Sequence, residues 1–173
     1  DRFGGAGVRQ LFLNCLDPSE DPFYAQIQHL RVSAHYFIRR TGELVRFVPP
    51  EARAWHAGAS SWRGRERCND FSIGIELEGC DTLPFEPVQY RVLADLLDDL
   101  CRRFPVEDIV GHSDIAPGRK TDPGPFFDWQ RLRGAPNLSS EALRALAWKL
   151  AQAPSDGAPD PMRWPFPLAG RPG

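Results

Sequence analysis

A chain of 173 residues, 42% apolar and 11% aromatic, is long enough for one well-buried core and too short for a second full domain. Its 21 Lys and Arg against 23 Asp and Glu leave a formal net charge of -2, which argues against the broad electrostatic attraction that nucleic acid or an anionic membrane surface requires. No apolar run approaches the roughly 20 residues of a membrane span, and Asp1 to Gln10 lacks the charged start and apolar centre of a signal peptide.

The opening Asp1-Arg2-Phe3-Gly4-Gly5 has no initiator Met and reads as the middle of a loop, so a preceding segment is expected. Val8, Leu11, Phe12 and Cys15 recur at helical spacing and predict a short amphipathic helix closed by Asp17-Pro18. Val32 to Ile38 and Leu44 to Val48, separated by Thr41-Gly42, read as the two strands of a hairpin. Ser33, His35 and Phe37 share one face of the first strand, so His35 either faces a cleft or is a hydrogen-bonded structural histidine. Arg53 to Gly58 predicts a loop in which Trp55 and His56 wall a cleft or plug the core. Ser60 to Asn69 is polar and holds Arg63, Arg65 and Arg67. It reads either as a solvated loop or as an anchor for a substrate carboxylate, which the bidentate guanidinium fork suits.

Phe71 to Gly79 alternates strictly, with Phe71, Ile73, Ile75 and Leu77 on one face and Ser72, Gly74, Glu76 and Glu78 on the other, predicting a strand near the sheet centre. Carboxylates on such a strand are costly unless they meet water, a cation or a metal site, so Glu76 and Glu78 are candidate acid or base groups; the alternative is a pair facing solvent at a strand end. Tyr90, Leu93, Ala94, Leu97, Leu100, Cys101 and Phe104 form an apolar stripe at 3- and 4-residue steps, started by Glu86-Pro87 and stopped by Phe104-Pro105. That is a core-packing helix. Ile109-Val110 reads as a short strand delivering His112 at its end.

Gly111 to Pro125 places His112, Asp114, Lys120 and Asp122 among turn-formers that forbid a continuous helix, so side chains ten positions apart can be aimed at one point. The imidazole of His112 and the carboxylate of Asp122 suit a borderline metal such as zinc, whose catalytic sites take three protein ligands and a water. Lys120 would set a positive charge beside that site, able to stabilise an oxyanion. The competing reading is a salt-bridged surface loop around a structural histidine. Beyond Trp129, Ser139 or Ser140 caps a predicted helix with Leu143, Leu146, Ala147 and Leu150 on one face, a docking appendage, and 153–173 reads as a proline-rich tail. Cys15, Cys68, Cys80 and Cys101 contain no C-x-x-C pair and look like reduced thiols of a cytosolic protein.

The blocks HLRVSAHYFIRR, RAWHAG, GRERCNDFSIGIELEG and GHSDIAPGRKTDPGPFFDW together resemble the AmpD type of N-acetylmuramyl-L-alanine amidase, from about Phe3 to Arg133. The resemblance implies a single α/β (α+β) domain, a mixed central sheet flanked by helices, over 1–133, with 134–152 as a helical appendage and 153–173 as the tail. It implies a cytoplasmic zinc enzyme of peptidoglycan recycling, acting on the amide between N-acetylmuramic or anhydromuramic acid and L-alanine of a muropeptide. His112 and Asp122 match two of the family's zinc ligands, Lys120 its oxyanion-stabilising lysine and Glu76 its catalytic carboxylate. Arg31 and Arg67 would help hold the stem peptide, and His35, Trp55 and His56 would lie near the cleft. The family's remaining zinc-ligating histidine falls upstream of the segment matching Phe3-Gly4-Gly5, so this chain is expected to hold zinc weakly and to hydrolyse little. The alternative function is a muropeptide-binding module without catalysis.

Overall fold

The computed structural model describes residues 3–135 and 138–152, and the expected tail over 153–173 lies outside them. In chain order the elements are α1 (Gly7–Phe12), α2 (Pro22–Ile27), β1 (Tyr36–Ile38), β2 (Leu44–Arg46), β3 (Ser61–Trp62), β4 (Arg65–Glu66), β5 (Ile75–Leu77), α3 (Pro87–Arg103), α4 (His112–Ile115), α5 (Trp129–Arg133) and α6 (Ser140–Gln152). A 3-10 turn, Cys68–Asp70, separates β4 from β5.

β1 and β2 form the expected hairpin, Tyr36 opposite Arg46 and Ile38 opposite Leu44, with Gly42 turning the chain at a φ of 87° that only glycine adopts freely. β5 joins β1 in parallel, pairing Phe37 with Glu76, so the sheet is mixed in the order β2-β1-β5. The strand expected at the sheet centre is therefore at an edge among the described strands, and β1 is central. Alternation reports which face of a strand is buried; it carries no information about how many neighbours the strand has. Only three of the nine residues from Phe71 to Gly79 lie in the ladder.

α3 begins and ends where its signals stand. The side chain of Glu86 accepts from the backbone of Gln89 and that of Gln89 from the Glu86 N–H, Pro87 occupies the first turn, and Phe104 leaves the helix in extended conformation. Leu93, Ala94, Leu97 and Leu100 are buried against Tyr36 and Ile38 of β1. Each such leucine contributes about 1.5–3 kcal/mol by leaving water. Gln89 is fully buried, and its amide donates to the carbonyls of Ile38 and Glu78, closing the ends of β1 and β5 from the helix side.

Three expectations shift. α1 stops at Phe12 because Asn14 takes a left-handed φ of 56°, which leaves Cys15 exposed and off the helix. Ile109-Val110 joins no sheet among the described residues; the Ile109 N–H donates instead to the carbonyl of Ala145 in α6. The arginine-rich stretch folds as the β3–β4 hairpin. α6 forms where expected and docks firmly, packing on α3 and α5 with Ala142 and Leu146 fully buried. No helix among the described residues is long and apolar enough to cross a membrane.

Candidate active site

The loop that carries the candidate ligands is pinned by its own backbone. Gly111 has no room for a side chain, since a Cβ there would sit 2.7 Å from Pro123 Cδ. The Gly111 N–H donates to Asp114 Oδ2 (2.7 Å), and the Ser113 N–H donates to the Asp122 carbonyl (2.9 Å). The two ends of the ten-residue span are thus stitched side by side, and Gly118 and Gly124 take the left-handed turns that let the chain return.

His112 Nδ1 lies 3.1 Å from Asp122 Oδ2, and Nε2 lies 3.1 Å from the carbonyl of Ala57. The Ala57 carbonyl and the Asp122 carboxylate are both acceptors, so the single proton of a neutral ring serves only one of them; with it on Nε2, Nδ1 turns its lone pair to the carboxylate. Two acceptors face each other at that distance only with a proton or a cation between them. A histidine whose outer nitrogen donates to a main-chain carbonyl has the usual bearing of a metal ligand, so the donor set fits zinc as far as it goes. Among the described residues no group of three or more His, Cys, Asp and Glu comes together, so His112 and Asp122 supply two of the three protein ligands that catalytic zinc takes. Arg119 clamps the other side, donating to the carbonyls of Ala57 and Ala59 at 2.7 Å. Neither Arg119 nor the Ala57 carbonyl was evident in the sequence, where main-chain acceptors leave no signal.

Glu76 and Glu78, two apart on one strand face, have separate fates. Glu76 lines the same cleft as His56, His112 and Asp122. Burial raises its carboxyl above the usual range and Asp122 raises it further, while His112 and Lys120 pull it down, so all four groups share one electrostatic field. For Asp122 burial is the largest influence and pushes upward, but the hydrogen bond and charge of His112, with Lys120, hold it below its ordinary value. Glu78 is buried and structural: it accepts from the main-chain N–H groups of Gly4 (2.7 Å) and Arg40 (3.0 Å), with Arg39 at 3.7 Å.

The remaining residues divide the same way. His35 is 1% exposed; its Nδ1 accepts from the Gly74 N–H and its Nε2 donates to the Ala52 carbonyl, both at 2.9 Å. With both nitrogens used it can offer nothing to a ligand, which corrects the cleft-facing assignment. His56 stacks edge-on to His35 with ring centroids 5.3 Å apart, and its Nε2 meets Ser72 Oγ at 3.0 Å. Trp55 is 56% exposed under the guanidinium of Arg53, 3.6 Å from its ring. Arg31 and Trp55 line a separate shallow depression with Asn14, Val32 and Ser33. Arg67 is exposed and pairs with Asp70 at 3.1 Å. The structure therefore gathers Glu76, His112 and Asp122 on one cleft, sets the exposed Lys120 near enough for its charge to bear on both carboxylates, and leaves Arg31, Trp55 and Arg67 outside that group.

A half-buried carboxylate that can carry a proton, opposite a cation-seeking His–Asp pair and a lysine, is the equipment of a hydrolase. The profile of the N-acetylmuramoyl-L-alanine amidase family matches residues 8–125. The 1,6-anhydro-N-acetylmuramyl-L-alanine amidase AmpD of Salmonella typhimurium strain SL1344 is 56% identical over 140 residues, 80% of this chain and 75% of that protein. A crystal structure of a selenomethionine AmpD derivative superposes with a TM-score of 0.76 at 54% identity, covering 80% of this chain and 77% of that one. The Escherichia coli amidase AmiD, solved with the substrate anhydro-N-acetylmuramic acid-L-Ala-D-gamma-Glu-L-Lys, superposes with a TM-score of 0.56 at 41% identity over 66% of this chain and 51% of its own. The chain belongs to the N-acetylmuramoyl-L-alanine amidase family.

Proposed function

We propose that this protein hydrolyses the amide between the lactyl group of anhydro-N-acetylmuramic acid and L-alanine in muropeptides, in peptidoglycan recycling. The observation that carries the reading is the position of Glu76, whose raised proton affinity suits a group that must take a proton and return it. Relatives named for this bond, and one solved with an anhydromuramyl tripeptide, support the choice of substrate.

In this mechanism a Glu76 carboxylate oxygen takes a proton from the attacking water as the new C–O bond forms. The Lys120 ammonium faces the carbonyl oxygen as it becomes an oxyanion, and Glu76 then delivers its proton to the departing alanine nitrogen as the C–N bond breaks. The products are a free lactyl carboxylate and a peptide with a free amino terminus. His112 Nδ1 and Asp122 would hold a zinc ion, which when bound polarises a carbonyl and lowers the pKa of a coordinated water toward about 7. Arg31, Trp55 and Arg67 are proposed as outer contacts to the stem peptide. A cytoplasmic setting belongs to the same reading, supported by four cysteines that are all unpaired.

The second reading, muropeptide binding without catalysis, is favoured by the two-ligand donor set. Zinc per chain by elemental analysis, together with release of peptide from an anhydromuramyl-peptide, separates the two. About one zinc per chain with peptide release is the expected result for an amidase. Saturable binding of the anhydromuramyl-peptide with neither zinc nor release would leave the binding reading.

A further inference from the structure

The mechanism makes no use of α6, which lies beyond residues 8–125 matched by the family profile. Yet α6 touches the ligand loop chemically. Lys149 Nζ lies 2.9 and 3.0 Å from the two carboxylate oxygens of Asp114, with the two side chains only 16% and 14% exposed. The ammonium also lies 5.0 Å from the ring centre of Trp129. Asp114 is the residue whose Oδ2 accepts the Gly111 N–H, closing the turn that carries His112. One helical turn earlier in α6, Ala145 accepts the N–H of Ile109, and Trp148 packs edge-on to Trp62, whose indole N–H donates to Asp108. The segment from Asp108 to Asp114 is therefore tied to α6 at Ile109 and at Asp114, and through Trp62 at Asp108.

We propose that Lys149 is a positioning residue: through Asp114 it holds the Gly111 turn so that His112 Nδ1 stays aimed at Asp122. The physical reason lies in the burial of the pair. A carboxylate this far from water is costly without a partner. Deprived of Lys149, Asp114 swings toward solvent and gives up the Gly111 N–H, and the turn loses its clamp. The consequence for activity rests on the amidase reading; the consequence for the loop does not.

The test compares Lys149→Met, Lys149→Arg and Asp114→Asn in the whole chain, reading amide hydrogen exchange and, separately, kinetics on an anhydromuramyl-peptide. In K149M, exchange at Gly111 and Ser113 rises about tenfold, the loss of roughly one hydrogen bond, while amides of Leu93 to Leu100 in α3 are unmoved. A misaimed ligand should lower kcat about ten- to a hundredfold with KM little changed, and K149R should restore most of both readouts. In the D114N background K149M should add nothing. Uniformly faster exchange, unchanged exchange at Gly111 and Ser113, or additive effects of the two substitutions would each overturn the proposal. If K149M does not fold, the milder Lys149→Gln takes its place: it removes the ammonium that holds Asp114, and faster exchange confined to Gly111 and Ser113 supports the clamp while no change refutes it. If the wild-type chain neither binds zinc nor releases peptide, the amidase reading fails, and the exchange pattern still decides the role of Lys149.

Discussion

Two histidine-bearing regions of this protein use the same side chain for opposite ends. In the region around Ala52 and Gly74, His35 spends both nitrogens on main-chain groups, and His56 lies against it with its ring where a Cβ on Gly74 would have to go. In the loop from Gly111 to Asp122, His112 spends only Nε2 on a main-chain carbonyl and turns Nδ1 toward a carboxylate. What separates a structural imidazole from a ligand is the partner of its second nitrogen. A histidine with two backbone partners is a cross-link; one with a single backbone partner has been oriented to do something with the other side.

The sharpest way to test that division is to remove the chemistry and leave the fold. Glu76→Gln keeps the shape of the cleft but cannot take a proton, and should lower kcat about 10²–10⁴-fold with thermal stability unchanged or slightly raised. Lys120→Met should lower kcat about 10²–10³-fold, the loss of one oxyanion partner, measured against the same anhydromuramyl-peptide. Substitution in the structural region should reverse the pattern. His35→Ala strands the Gly74 N–H and the Ala52 carbonyl and opens a cavity, so it should cost about 2–5 kcal/mol in denaturant unfolding, with kcat of the folded fraction retained. If H35A abolished activity at full stability, the division would be wrong.

Acid offers a milder probe of the same contrast. Burial, helped by the charges of His35 and His112, lowers His56 to about 4, and burial lowers His35 as well. The unfolded chain therefore binds protons before the folded one does. The stability owed to a neutral His56 is fully present above about pH 6.5 and is lost as the pH falls toward 4, up to about 3 kcal/mol in all. Unfolding curves taken across that window should show the loss, and His56→Gln should flatten it. The smallest effect is expected at the rim: Arg67→Ala removes one exposed ion pair, should change stability by less than about 1 kcal/mol, and should act on KM without touching kcat.

Much of this was legible from residue order because it is local. Glu86-Pro87 and Phe104-Pro105 bracket α3 by capping chemistry, and the glycines and prolines of the 111–125 loop announce a turn that no helix could replace. What was hidden depends on contacts across the chain. Nothing near Phe71 to Gly79 says that β5 has one sheet neighbour among the described strands instead of two. The choice between the two readings of His35 turns on Ala52 and Gly74, 17 and 39 residues away. Lys149 looks like any lysine late in a helix until Asp114, 35 residues earlier, is seen beside it.

Glu78 takes no part in the proposed chemistry, yet it indexes the residue that does. Because strand side chains alternate, sliding β5 past β1 by one position would swing Glu76 out of the cleft and put Ile75 or Leu77 in its place. Glu78 opposes that slide: its two oxygens accept from the N–H groups of Gly4 and Arg40, and both bonds belong to the present register. One carboxylate works as a detent for its neighbour, adding two side-chain bonds to a register that the ladder and Gln89 also hold.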